Sequence, residues 1–405
     1  MWARRLAAIV ALLAAGAAPA ADLLVEAEGF AEHGGWAHDP QYVSQIGSPY
    51  LLAHGLGRPV ANARTTVRFD EGGEYRVWVR AKDWVPSHHP GRFGVLVNSV
   101  ALDTEFGANG KDWSWQCGGT VKVAPGEATV ELKDLTGFDG RCDAVYFTTD
   151  AAFVPPQKAD EQMAAWRRRL LRLPATPPSG GTFDCVVVGG GLAGCSAALT
   201  AARLGLTVAL IQDRPVLGGN ASSEIGLPPR GEKRSIVEEV AGRNRARVIQ
   251  AEKRITLLLG WHAYGVQKQG NRIAALDARN TRTNEERRFT APVYIDCTGD
   301  GWIGYWAGAE FRMGREAAAE FDESLAPAVA DKITHGITVQ FGTRRATQPW
   351  AFPDVPWAAE VARNNTDLSG HYGWECGQHR DVIGEAEDIR DYAFRAIYGS
   401  FANVK

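Results

Sequence analysis

The sequence predicts a multidomain chain in which an all-β, jelly-roll-like sandwich precedes an α/β domain with a parallel sheet. Three observations carry this. The chain has 405 residues, and at roughly 100–200 residues per domain that is two or three units. Short strand-like runs separated by Gly, Pro, Asp and Asn clusters recur across 22–150. From Phe183 onward apolar strands alternate with helical spacing, as in α/β domains. Hydrophobic residues at 45% and charged residues at 22% exclude a disordered or fibrous chain. A net charge of -3 argues against a nucleic-acid binder, which needs a basic face.

In chain order, residues 1–20 come first. Arg4 and Arg5 precede the apolar run Leu6–Ala18, and Ala18-Pro19-Ala20 has the small-x-small form of a cleavage site. This reads as a secretory signal peptide, too short to span a membrane, and it places the protein outside the cytosol, in a periplasm or secreted. No later stretch reaches about 18 consecutive apolar residues.

Residues 22–150 carry the strand runs Leu23–Glu28, Thr65–Phe69, Tyr75–Ala81, Gly94–Val97, Gly119–Val123, Thr129–Leu132 and Ala144–Thr148. Tyr75, Val77 and Val79 alternate with Arg76, Trp78 and Arg80, the period-two pattern of a strand. Seven short strands over such a length predict a sandwich. Residues 151–182 read as a Pro/Gly-rich linker around one helix at 160–173. The Arg167-Arg168-Arg169 run on that helix reads as a solvated face.

Residues 183–405 open with the strongest signal, Cys185-Val-Val-Val-Gly189-Gly190-Gly191-Leu-Ala-Gly194. A buried strand runs into Gly189, which makes a tight turn. Gly191 leaves room for a pyrophosphate, and Gly194 lets helix and strand pack closely. The N–H groups of Leu192, Ala193 and Gly194 then face the phosphates at the positive end of the helix. Val208–Ile211 is the second strand. It ends in Gln212 where a ribose-binding acid is expected, followed by Asp213 and Arg214. Gln both donates to and accepts from hydroxyls, whereas Arg214 would suit a 2′-phosphate. The Gly218-Gly219-Asn220 stretch that follows favours a long dinucleotide lying against the backbone. A second apolar strand, Ala291–Cys297, leads into the turn Thr298-Gly299-Asp300-Gly301. Between them, Arg254–Leu259, Trp261–Lys268 and Arg272–Asn280 read as an antiparallel insertion.

With LIQDRPVLGGNASSEI at 210–225 and YIDCTGDGWIGYWAGAEFRMGRE at 294–316, the sequence resembles FAD-dependent oxidoreductases of the two-dinucleotide-fold type. It is most similar to an exported branch with a β-sandwich ahead of the Rossmann-type flavin domain. The resemblance implies FAD as cofactor, with Gly189, Gly191, Leu192, Ala193, Gly194, Gln212, Asp213, Arg214, Gly218, Gly219, Asn220, Thr298, Gly299 and Asp300 as its binding residues and the backbone near Ala263 against the adenine. In such flavoproteins a late strand and a Gly-rich helix start return to the nucleotide domain. None follows Thr298–Gly301 here, so the resemblance implies an incomplete flavoenzyme that holds FAD loosely and leaves apolar surface uncovered near 294–311.

Val25-Glu26-Ala27-Glu28 resembles the opening of calcium-binding, carbohydrate-binding sandwich modules. By that resemblance Glu26, Glu28 and Asp143 are candidate calcium ligands; exposed strand acids are the alternative. Trp113 and Trp115 alternate and point one way, either as a sugar-stacking platform or as core. Cys117 and Cys142 are candidates for a disulfide in an exported protein. No Gly-x-Ser-x-Gly, His-Glu-x-x-His or P-loop lysine is present. Glu224, Glu232 and His262 have no spacing that fixes an acid–base site, so the catalytic residues stay unassigned. The reading is an exported FAD-dependent oxidoreductase acting on a sugar or glycan fragment. Its alternatives are a polysaccharide-processing lyase or hydrolase with a redox-silent flavin, and a glycan-binding protein.

Overall fold

The computed structural model describes residues 20–232, 234–349, 351–370 and 375–405. Residues 1–19 of the expected signal peptide lie outside these. The first unit is a sandwich of antiparallel strands: β1 Asp22–Glu26, β2 Ala37–Asp39, β3 Tyr50–His54, β4 Ala63–Phe69, β5 Gly73–Ala81, β6 Phe93–Val97, β7 Val100–Ala101, β8 Ser114–Val123, β9 Gly126–Asp134 and β10 Phe138–Thr148, with a short α1 at Val43–Ile46. One sheet runs β2-β3-β10-β5-β8, with β1 also on β10; the other runs β4-β9-β6-β7. The inward residues Val25, Leu51, Val77, Val79, Val95, Val130, Leu132, Val145 and Phe147 form one core with Phe69, Phe93 and Phe106.

The outer face of the first sheet is covered as well. Trp78, Trp115 and Tyr146 pack against Met163 and Trp166 of α2, Glu161–Leu170. Asp160 caps this helix by accepting from Gln162 N and Met163 N. Cover on both faces is why all of β10 is buried, and why Arg80, on the outward side of the alternation, is only 1% exposed.

The nucleotide-type unit has a four-stranded parallel sheet in the order β14-β13-β12-β18. Its strands are β12 Cys185–Val188, β13 Val208–Gln212, β14 Ile255–Leu259 and β18 Val293–Asp296. Helix α3, Leu192–Arg203, crosses over from β12 to β13, and α4 Ile236–Ala241 and α5 Arg245–Ala251 lead to β14. The residues read as a first insertion strand therefore join the parallel sheet, paired to β13. The antiparallel insertion is β15 Trp261–Gln269, β16 Arg272–Asn280 and β17 Glu286–Thr290, extended by β11 Ser179–Thr182. β18 forms one edge of the parallel sheet. Val293 on it, Tyr305 of α6 (Trp302–Ala307) and Phe311 beyond are exposed.

After α6 come α7 Ala318–Phe321, β19 Phe341–Gly342, α8 Pro356–Ala362, β20 Ser369–Gly370 and α9 Ala386–Val404. The C-terminal helices α8 and α9 pack on the sandwich. Phe352, Val355, Trp357 and Tyr398 join Trp84, Val85 and Phe138 in one buried cluster. Arg141 donates to Glu387 and Asp391 of α9, at 2.7 and 2.6 Å, and Arg390 pairs with Asp39. Two facing aromatic and charged surfaces, neither able to stay solvated without loss, drive this docking. Among the described residues no helix is long and apolar enough to cross a membrane.

The expected Cys117–Cys142 bridge is also corrected. The two cysteines lie on β8 and β10, on either side of β5, roughly 10 Å apart by strand spacing, beyond the reach of a disulfide. They also face opposite ways, Cys142 into the core and Cys117 toward the α2 side; both are free thiols.

Candidate functional site

The three glycines after β12 do different jobs. Gly189 has φ +98°, and a Cβ there would meet Cys297 O at 2.1 Å, so the fold itself demands glycine. At Gly194 a Cβ would meet Gly189 O at 1.8 Å, so helix–strand packing demands it. At Gly191 neither holds. Its φ is -64°, and a Cβ would find only Gly219 Cα, at 4.0 Å. The protein leaves this position bare without needing to, which fits a ligand passing across it. The N–H groups of Leu192, Ala193 and Gly194 open α3, where no preceding turn exists to accept them.

Gly218 and Gly219 lie alongside this loop. Gly218 N donates to Gly190 O at 2.8 Å, and Gly191 and Gly218 form a parallel bridge. Arg245, which sequence reading missed, clamps the arrangement by donating to Leu217 O, Val240 O and Ala241 O. One arginine among Arg243, Arg245 and Arg247 gave no signal for this. Asn220 sits exposed on the rim.

Gln212 is buried and occupied. Its Oε1 accepts from Gly190 N at 2.6 Å and its Nε2 donates to Val216 O at 3.2 Å. The side chain thus holds the glycine turn to the following loop. Arg214 pairs with Glu224 at 2.5 Å, which leaves it committed rather than waiting for a 2′-phosphate. Asp213 Oδ2 is 4.0 Å from His262 Nδ1. Burial, with the Arg279 guanidinium, pushes His262 down to about 4, so the ring is neutral at pH 7. Glu232 pairs with Arg234 on the surface; the structure does not assemble Glu224, Glu232 and His262 into one acid–base site. Ala263 is buried on β15 opposite Ala278.

At the second turn, Thr298 Oγ1 donates to Asp296 Oδ1 and accepts from Gly301 N and Trp302 N. Asp296 Oδ2 accepts from Ile303 N and Gly304 N. The carboxylate that starts α6 is therefore Asp296, not a residue singled out from the sequence. Gly299 has φ +93°, and Asp300 is exposed. A cleft of about 520 Å³ opens beyond the carboxyl ends of β13 and β14. It is walled by Arg214, Pro215, Leu259 and Gly260 on one side and by His38, Leu52, Arg390 and Phe394 on the other. Crevices at the carboxyl ends of parallel strands are where such sheets take ligands.

A family described as FAD dependent oxidoreductase matches residues 184–252 and 244–379. These residues belong to the FAD-dependent oxidoreductase family. Among solved structures, the L-proline dehydrogenase of P. horikoshii is 23% identical, with 30% of this chain and 24% of that one covered and a TM-score of 0.24. A geranylgeranyl bacteriochlorophyll reductase-like protein of Thermoplasma acidophilum is 22% identical over 32% of this chain and 42% of its own, with a TM-score of 0.25. A family 35 carbohydrate binding module of Clostridium thermocellum is 13% identical over 31% and 96%, with a TM-score of 0.26. The chain spans less than half the length of the first two.

Ahead of the oxidoreductase domain, the sandwich brings Glu26, Glu28 and Asp143 together, with one oxygen of each within 4.8 Å of the others. All three are buried, so they are not exposed strand acids. Their oxygens are already taken. Arg167 donates to both oxygens of Glu26 and both of Asp143. Arg80 and Ser48 also donate to Asp143, and Asn284 donates to Glu28 Oε1. Calcium needs six to eight oxygens, and Glu28 Oε2 alone lacks a donor. The residues do not fit a metal. Arg167 is accordingly no solvated residue, being 6% exposed. Trp113 and Trp115 are committed too: Trp113 Nε1 donates to Glu387 Oε2, and Trp115 is buried edge-on against Trp166. The Trp115 ring is closed to sugar stacking, and the half-buried Trp113 ring lies against Tyr50 and the Arg80 guanidinium.

Proposed function

We propose that this protein is an exported FAD-dependent oxidoreductase that oxidises a small polyhydroxylated substrate, a sugar or glycan fragment. The bare backbone at Gly191 carries the reading, because the fold does not require glycine there. In this reading the N–H groups of Leu192, Ala193 and Gly194 donate to pyrophosphate oxygens, strengthened by the positive end of α3. Gly218-Gly219, fixed by Arg245, forms the second backbone wall. When bound, FAD supplies the two-electron acceptor; the protein's part is position and electrostatics. Arg214, Pro215 and Gly260, which wall the cleft at the ends of β13 and β14, would hold the adenosine end. Export rests on the apolar run at 6–18, and the sugar on the sandwich opening Val25–Glu28.

The test is FAD titration of the purified chain, followed by anaerobic bleaching of bound flavin with a panel of sugars and polyols. Bleaching by at least one supports the reading. Binding without bleaching by any of them removes the sugar, and no flavin binding removes the cofactor assignment.

A further inference from the structure

The acid cluster of the sandwich lies at the place where three parts of the chain meet. Glu26 is on β1 and Asp143 on β10. Arg167 enters from the linker helix α2, and Asn284 from the turn between β16 and β17 of the oxidoreductase domain. The next residue, Arg168, reaches Glu286 of β17 at 2.5 Å. Consecutive arginines thus grip both domains, Arg167 the sandwich and Arg168 the insertion sheet. Arg80 adds a second buried guanidinium, 2.7 Å from Asp143.

We infer that this cluster is a cation site whose resident cation is the guanidinium of Arg167, and that it serves as the joint between sandwich and oxidoreductase domain rather than as a metal centre. Charge supports this. Arg167 and Arg80 hold Asp143 down to about 2 against the opposing effect of burial. Burial, reinforced by Glu26, pushes Glu28 well above the usual carboxylate range. Burial raises Glu26 as well, against the pull of Arg167, so two guanidiniums face three carboxyls of which burial favours the neutral form in two, and the cluster calls for no further positive charge. A guanidinium also does what a metal cannot: as part of α2, it ties the linker to the sandwich by its own chain.

The experiment compares the full-length protein with Arg167→Met, each in EGTA and in millimolar calcium, by thermal unfolding and calcium titration. The wild type is expected to bind no calcium and to melt at one temperature in both. Arg167→Met strands the buried Glu26 carboxylate and leaves Asp143 only Arg80 and Ser48, so its melting point should fall by several degrees in EGTA and recover in calcium, with about one ion bound. Stoichiometric calcium in the wild type, or a melting point lowered by EGTA, overturns the inference. So does a variant as stable as wild type, or one that calcium does not rescue. Should Arg167→Met fail to accumulate, the wild-type comparison alone still decides whether a metal is resident, and Arg167→Gln, which removes the charge but keeps a polar side chain, replaces it in the rescue arm.

Discussion

Gly191 and Gly194 are three residues apart and chemically identical, yet substitutions there should fail differently. Gly194→Ala forces a methyl onto Gly189 O and should destabilise the fold by about 1–3 kcal/mol. Gly191→Ala keeps an ordinary φ and clashes with nothing, so its melting point without cofactor should match wild type while FAD affinity drops at least tenfold. Titration and thermal unfolding of the two variants separate fold from site. Gln212 makes a third case. A glutamate there would still accept from Gly190 N, but its other oxygen would confront Val216 O, 3.2 Å from the present amide nitrogen. Gln212→Glu should therefore weaken FAD binding rather than tighten it, unless the carboxyl stays protonated; titration from pH 5 to pH 8 will show affinity falling with pH. Glu28 is the reverse, a carboxyl the fold would rather have neutral. Its folded-state titration lies above the unfolded value, so its contribution is intact below that value and is lost as pH rises. Glu28→Gln keeps the Asn284 bond and removes the charge that burial penalises. It should raise stability at pH 7 by about 1 kcal/mol, seen as a higher melting point that converges with wild type in acid.

At the scale of elements, legibility followed exposure. The glycine turn was readable because each residue's constraint is local: a positive φ, a close approach, a free helix end. β5 was readable from its alternation. β3 was not, because Tyr50, Leu51, Leu52 and Ala53 are all buried, with the core on one side and α9 on the other, which erases period two. The same cover explains Arg167 and α9. Arg-Arg-Arg, and Glu387 with Arg390 and Asp391, look like solvated faces until the partner surface is known, since charge reads as exposure unless an opposite charge arrives from elsewhere in the chain. Arg141, Lys82 and Arg390 hold Glu387 down to about 2 despite its burial. Its unfolded value is near 4.5, so the contact is at full strength above that and is lost as pH falls from 4.5 toward 2. Acid should then release α9 before the sandwich core melts, with Trp84 and Trp113 reporting it by fluorescence. Glu387→Gln, which leaves Arg141 and Lys82 short of charge, should cost about 3 kcal/mol at neutral pH and flatten that acid transition.

At the scale of the whole molecule, the sandwich of 22–150 leans on helices from outside those bounds. The first sheet has its outer face against α2 and α9, and the ions on that face are satisfied from both helices: Asp143 by Arg167, Arg141 by Glu387 and Asp391, Lys82 by Glu387. Residues 22–150 alone would keep one apolar core but turn Trp84, Trp113, Phe138 and several buried charges toward water. Exposing one partner of a buried pair costs about 3–5 kcal/mol, and three such groups together rival the total stability of a domain. The segment 22–150 should therefore lack a cooperative thermal transition, or melt far below the full chain. Reductant should make no difference to either, because the two cysteines flank a strand and face opposite ways. A segment 22–150 that unfolds cooperatively at the temperature of the whole protein would show that the sandwich core suffices and that the helices are guests on it; a reductant-sensitive melting point would restore the disulfide.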